Sequence, residues 1–195
     1  MGKLAGTTLV RPHGRRQFIA GLTGAAAVSL APGLGSGAAW AGPALPPVRE
    51  LAFRSLHTGE ELRATYVREG SVLAEGAEQI NHILRDWRTG EMTQMDLGLL
   101  DLLYALRRKM ETTAPFEVIS AYRSPKTNAR LAGKSKGVAK RSLHMRGMAI
   151  DIHLPGRQLG ELHRAAVALK AGGVGLYSRS GFIHVDTGRV RYWGR

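Results

Sequence analysis

Two periodicities alternate along the chain beyond residue 48. Short runs of β-branched and aromatic residues that change face at every position predict strands, and stretches with apolar residues every three or four positions predict helices. Leu51-Ala52-Phe53-Arg54-Ser55-Leu56-His57 and Glu61-Leu62-Arg63-Ala64-Thr65-Tyr66-Val67 flank Thr58-Gly59-Glu60, a glycine-containing connection, and predict a hairpin with His57 at its surface. From Ala74 to Trp87 the apolar positions Ala77, Ile80, Ile83, Leu84 and Trp87 predict one amphipathic helix, stopped by Thr89-Gly90. Asp96 is placed to cap a second helix with Leu99, Leu100, Leu103 and Leu106 on one face. Arg107, Arg108 and Lys109 stand in its last turn, where the helix dipole favours cations.

The second half of the chain shortens its elements. Phe116 to Tyr122 predicts a strand, Ser124-Pro125 the opening of a helix through Ala132, and Met148 to Leu154 a strand ended by Pro155-Gly156. Leu159, Leu162, Ala165, Ala166 and Leu169 mark another helix. Gly172-Gly173-Val174-Gly175-Leu176-Tyr177 and Gly181-Phe182-Ile183-His184-Val185-Asp186 predict a last hairpin, and Val190 to Trp193 one more strand that carries Trp193 into the core. The glycines at 172, 173 and 175 suit close backbone packing. They lack the strand-loop-helix context of a phosphate loop.

Ahead of this domain the pattern is of another kind. Residues 1–41 run from a basic region ending in Arg15-Arg16 into the Gly- and Ala-rich stretch Phe18 to Leu30 and then Ala39-Trp40-Ala41, which fits a small-x-small cleavage site. Gly14-Arg15-Arg16-Gln17-Phe18-Ile19 resembles the twin-arginine signal, whose pathway exports folded proteins. The apolar stretch is too weak for a stable membrane span. Residues 1–41 are therefore expected to be a cleaved signal that delivers the protein to the periplasm or cell envelope. Residues 42–47, with Pro43, Pro46 and Pro47, make a linker, and the mature domain begins at Val48.

Composition narrows the chemistry. A chain of 195 residues without cysteine has no thiolate metal site, no thiol nucleophile and no disulfide. The formal charge is +13, and since residues 1–41 hold only Lys3, Arg11, Arg15 and Arg16, most of it stays with the domain. Such a surface attracts polyanions. Nucleic acid fits poorly: the run from Lys126 to Arg141 contains no aromatic residue on which a base could stack, and the leader points to export.

His144 and Asp151 lie seven positions apart around the small residues Gly147 and Ala149, and His184 arrives on the last hairpin. Two imidazoles and one carboxylate are the ligand set of a catalytic zinc ion, which keeps its fourth position open. His153 and Asp186 can then be partners that orient the ligands, or acid/base groups. Arg123, at the end of a strand, suits a clamp on a substrate carboxylate, and equally a surface arginine that caps the strand. Lys134, Lys136, Lys140 and Arg141 form an exposed basic loop just before His144.

The stretches Ser120-Ala121-Tyr122-Arg123-Ser124, Ser142 to Asp151, Gly172-Gly173-Val174-Gly175 and Phe182-Ile183-His184-Val185-Asp186-Thr187-Gly188 together resemble the M15 peptidases, in the murein endopeptidase K-like branch. The resemblance spans about Ala52 to Trp193. It implies an α+β fold with a small antiparallel sheet flanked by helices, one zinc ion held by His144, Asp151 and His184, and Arg123 in contact with substrate. The activity it implies is hydrolysis of peptide cross-links or stems in peptidoglycan. Many members carry a general base two or three residues before the last zinc histidine, where this chain has Phe182 and Gly181. Asp186, with His153 behind it, is the expected replacement. A zinc-bearing module that binds wall polymer without cutting it, and a carboxypeptidase acting on stem peptides, are the alternatives.

Overall fold

Phe53, Tyr66 and Phe116 are fully buried, and the strands that carry them lie side by side. In the computed structural model, which describes residues 45–135 and 137–194, β1 (Arg49–Ser55) and β2 (Glu61–Arg68) form the expected hairpin. A short β3 (Ser71–Val72) folds back on β2, too brief to leave a periodic trace in the sequence. Then follow β4 (Phe116–Ser120), β5 (Ala149–His153), β6 (Gly173–Tyr177), β7 (Phe182–Asp186) and β8 (Arg191–Gly194). Together they make one eight-stranded sheet in the order β3-β2-β1-β4-β5-β7-β6-β8.

The α+β class holds, and the sheet is wider and more mixed than the expected small antiparallel one. β1 pairs with β4 in parallel, and β6 with β8 likewise. A parallel pair needs a crossover, and the connection from β1 to β4 contains β2, β3 and both α1 (Ala74–Ile83) and α2 (Leu97–Lys109). Residues 1–41, with the expected signal and cleavage site, lie outside the described residues.

The helices begin where their caps predict. The Asp96 carboxylate accepts from the Gly98 N–H, and the Ser124 hydroxyl from the Thr127 N–H at 3.2 Å, opening α3 (Pro125–Lys134) with proline in its first turn. α2 and α4 (Leu159–Leu169) pack together and against the sheet, α1 against β2. Leu99, Leu103 and Leu106 share one core with Ile150, Ile152, Ile183 and Val185, all with no exposed surface. Each such side chain contributes about 1.5–3 kcal/mol by leaving water. Because strand residues alternate, the positions that bury Ile150, Ile152, Ile183 and Val185 turn Asp151, His184 and Asp186 to the opposite face.

Two expectations fail locally. α1 ends at Ile83 instead of running to Trp87. The buried Asp86 accepts the N–H groups of Arg88 at 3.1 Å and Ser124 at 3.0 Å, and a side chain that binds backbone N–H groups competes with the helix ladder. Trp87 is left half-exposed, with the His57 ring stacked 4.1 Å away. Trp193 does not enter the core. It is half-buried and joins Tyr177, Phe182 and Arg191 along one cleft.

Candidate metal centre

β5 and β7 run antiparallel with Asp151 opposite His184, so two of the expected ligands are cross-strand neighbours. The third comes from a short 3-10 turn, Leu143–Arg146, opened by Ser142 and closed by Gly147. The end of β4 clasps that turn: the Arg123 N–H donates to the His144 carbonyl at 3.2 Å, and the His144 ring lies 2.7 Å from the Ala121 carbonyl. α2 anchors the same region, because Asp96 accepts from Thr187 just beyond β7 and its own N–H donates to the Gly147 carbonyl.

Three atoms converge as a result. His144 Nε2 lies 3.2 Å from His184 Nδ1, His184 Nδ1 lies 2.8 Å from Asp151 Oδ1, and His144 Nε2 lies 3.4 Å from the same oxygen. Tetrahedral coordination at bonds of about 2.0–2.1 Å requires donor atoms roughly 3.3 Å apart. The three separations bracket that value.

The outer partners decide which nitrogens face inward. His144 Nδ1 points at a carbonyl oxygen, which only accepts, so Nδ1 carries the proton and Nε2 presents its lone pair. His184 has a carboxylate at each nitrogen, Asp186 Oδ2 at 2.9 Å from Nε2 and Asp151 Oδ1 at 2.8 Å from Nδ1; with a cation at the centre, Nε2 donates to Asp186 and Nδ1 presents its lone pair. Two imidazole lone pairs and a carboxylate oxygen then share one point, an arrangement that repels unless a cation stands between them. The donor set thus fits a zinc ion, and among the described residues this is the group of side chains able to hold a metal.

The titration behaviour follows. Burial holds His144 below the ordinary histidine value and outweighs the pull of Asp151. Burial also lowers His184, but hydrogen bonds to Asp151 and Asp186 outweigh it and leave the ring above its ordinary value. Burial would raise Asp151, yet the two imidazoles keep it well below the usual carboxylate range.

Arg123 is almost fully buried, and its Nη2 donates to Ser120 at 3.3 Å and to Asp151 Oδ2 at 3.4 Å. It reaches the centre through a ligand and also lines the cleft, so it is not a surface cap. The two residues expected as acid/base groups are placed otherwise. His153 Nδ1 lies 3.0 Å from Glu117, its cross-strand neighbour on β4, and the ring is not part of the cleft. Asp186 has no exposed surface. Its Oδ1 accepts from the Gly173 and Gly188 N–H groups and from Arg191 Nη1, and its Oδ2 from His184 and Arg191 Nη2. Burial raises this carboxyl, and the bonds from His184, Arg191 and Gly188 more than offset that, so it stays ionised well below the usual range.

The cleft over the three ligands has a volume of about 460 Å3. Ser135, Gly137, Val138, Ala139 and Arg141 form one wall, and Tyr177, Phe182 and Trp193 form another, the first two rings stacked 4.7 Å apart. The Trp193 indole donates to the Tyr177 hydroxyl at 3.1 Å. Sequence reading missed Arg191 and this aromatic wall; the signal that could have found them is the spacing of Arg191 and Trp193, which puts both on one face of a strand beside the glycines of β6.

Residues 44–193 match the family model Peptidase M15_2, described as peptidoglycan L,D-endopeptidase MepK. The chain is 42% identical to the peptidoglycan L,D-endopeptidase MepK of Escherichia coli (strain K12) over 148 residues, 76% of this chain and 81% of that protein. The protein of the same name from Shigella flexneri matches equally, and a probable peptidoglycan L,D-endopeptidase MepK of Haemophilus influenzae is 39% identical over 149 residues, 76% of this chain and 80% of that one. The pairing of a His-Asp-His donor set with a match that covers nearly the whole described domain leads to one conclusion: the chain belongs to the M15 peptidase family, in its MepK branch.

Proposed function

We propose that this protein is an exported zinc peptidase that hydrolyses peptide cross-links of peptidoglycan, at a bond joining residues of L and D configuration. The observation that carries the reading is the convergence of His144, Asp151 and His184, each oriented by its own partner, at the floor of an open cleft. The relatives' shared name supplies the polymer and the bond. In this reading His144 Nε2, His184 Nδ1 and Asp151 Oδ1 hold one zinc ion. When bound, the ion supplies Lewis acidity that polarises a peptide carbonyl and acidifies water to a pKa of about 7.

The chain's own residues do the rest. Arg123 stands beside Asp151 with a guanidinium that can take a second carboxylate or carbonyl from the substrate. Arg141 lines the cleft, and Lys134 and Lys140 are exposed close to it in sequence, a run of cations that favours an anionic wall polymer. The aromatic wall gives the substrate's apolar portions a surface to cover. Export through the twin-arginine leader would bring the domain, already folded, to the compartment where this polymer lies.

One observation favours a second reading, a zinc-bearing module that binds wall polymer without cutting it. The carboxylates that line the cleft are Asp151, a ligand, and Asp186, whose oxygens are fully engaged, so no carboxylate is free to take a proton from water. Digestion of purified peptidoglycan separates the two. New uncross-linked muropeptides by mass, absent with chelator and with His184→Ala, are expected for the peptidase, and their fragment masses identify the bond. Unchanged muropeptides with zinc bound would establish the binding module.

A further inference from the structure

Arg191 opens β8 and lies beside Gly173 of β6. Its guanidinium holds Asp186 with two prongs, Nη1 to Oδ1 at 3.0 Å and Nη2 to Oδ2 at 2.6 Å. The geometry is that of the fork that arginine alone offers a carboxylate. Nη1 also donates to the Arg189 carbonyl at 3.0 Å, and the guanidinium carbon lies 4.9 Å from the centre of the Trp193 ring. The arginine is fixed from several sides. A side chain at Gly173 would land on Arg191 Nη1 and Asp186 Oδ2, so glycine at this position is what lets the pair form.

Asp186 in turn stands 2.9 Å from His184 Nε2, while the other nitrogen of that ring faces His144 and Asp151. A continuous chain of contacts therefore runs from a half-exposed guanidinium to the metal-facing nitrogen. Both oxygens of Asp186 are held, so Oδ2 cannot rotate away from the Nε2 proton. Without the fork, two backbone N–H groups hold only Oδ1, and the carboxylate can turn about its Cβ–Cγ bond. The imidazole then loses the partner that keeps its proton on Nε2, and the tautomer with Nδ1 protonated has no lone pair for a metal.

We propose that Arg191 is a positioning residue for metal binding, which fixes the Asp186 carboxylate and through it the metal-binding tautomer of His184. The proposal rests on the metal-centre reading above. It is tested by measuring zinc dissociation constants of the wild-type protein, Arg191→Ala and Arg191→Lys in competition with a chromogenic chelator, with circular dichroism to establish that each is folded. Arg191→Ala is expected to bind zinc about 10–100-fold more weakly, the usual cost of losing an outer partner. Arg191→Lys, which keeps the charge and loses the fork, is expected to be weakened as well. Added guanidinium ion should restore part of the affinity of Arg191→Ala and leave the wild type unchanged, which a role in folding alone would not produce.

Folded variants that bind zinc within about twofold of the wild type would overturn the proposal and leave the metal centre standing. If Arg191→Ala fails to fold, the lysine variant decides by the same criterion. A wild-type protein that binds no zinc would overturn both.

Discussion

Replacing Asp186 by asparagine puts an amide of the same shape where five donors converge on two oxygens. Oδ1 receives the Gly173 N–H at 3.1 Å, the Gly188 N–H at 2.9 Å and Arg191 Nη1 at 3.0 Å; Oδ2 receives His184 Nε2 at 2.9 Å and Arg191 Nη2 at 2.6 Å. With its NH2 on the first side, the amide faces three donors that cannot retreat, two of them backbone. With its NH2 on the second side, it faces Arg191 Nη2, which can swing aside on its long, part-exposed side chain, and the imidazole, which can yield only by moving its proton to Nδ1 and giving up its metal-binding nitrogen. The second arrangement is the less costly, so the substitution should strike zinc affinity and stability together. Removing one partner of a buried, hydrogen-bonded charge pair costs about 3–5 kcal/mol. At about 2–4 °C per kcal/mol for a chain of this size, the melting temperature should fall by roughly 6–20 °C. Thermal unfolding in chelator, followed by circular dichroism, reads the first effect free of bound metal. A chelator competition reads the second, expected at about 10–100-fold. A melting temperature within about 2 °C of the wild type, together with unchanged zinc affinity, would refute the reasoning.

Other consequences are open to direct measurement. His184 sits above its ordinary value without metal, and protons compete with zinc for its Nδ1. Zinc affinity should therefore fall about tenfold per pH unit as the pH drops below the His184 value, and level off above it, in calorimetric titrations over a pH series. Asp186 has its folded value held down from the ordinary 3.8, so its contribution to stability is present above that value and is lost on acidification below it; urea unfolding of the zinc-free protein through this range should show the loss. A methyl group added at Gly172 would land on the main-chain carbonyl oxygen of Asp186, which cannot swing aside. Gly172→Ala should thus lose about 1–3 kcal/mol or more in urea unfolding. Arg123→Ala removes a charged donor from the cleft and should lower kcat/KM on muropeptides by about 10–100-fold.

Much of the fold could be read from local chemistry. Asp96 and Ser124 cap helices because a side-chain oxygen before a periodic apolar run has one obvious partner, and the Thr58-Gly59-Glu60 connection marks its hairpin because Gly59 takes the positive φ the turn requires. The convergence of His144, Asp151 and His184 was also legible, since strand alternation turns Asp151 and His184 away from their apolar neighbours. What could not be read depends on partners distant in sequence. Periodicity carried the first helix on to Trp87, yet Asp86 ends it by reaching Ser124 on another element. Alternation places His153 on the same side as Asp151, and Glu117 on the neighbouring strand then draws its ring away. Asp186 has the chemistry of a general base, and only the fold shows that Arg191, Gly173 and Gly188 already occupy its lone pairs. Trp193 looked like a core residue by type, and the parallel pairing of β8 with β6 sets it on the cleft instead.

The central claim is that one zinc ion, held by His144, Asp151 and His184, drives hydrolysis of peptidoglycan peptides. Its most direct test is to strip the protein with chelator and titrate zinc back while following release of uncross-linked muropeptides. Hydrolysis should be absent in the stripped protein, rise in proportion to added zinc, and saturate at one equivalent, while Asp151→Ala stays inactive throughout. Full hydrolysis by the stripped protein, or equal recovery in Asp151→Ala, would contradict the account.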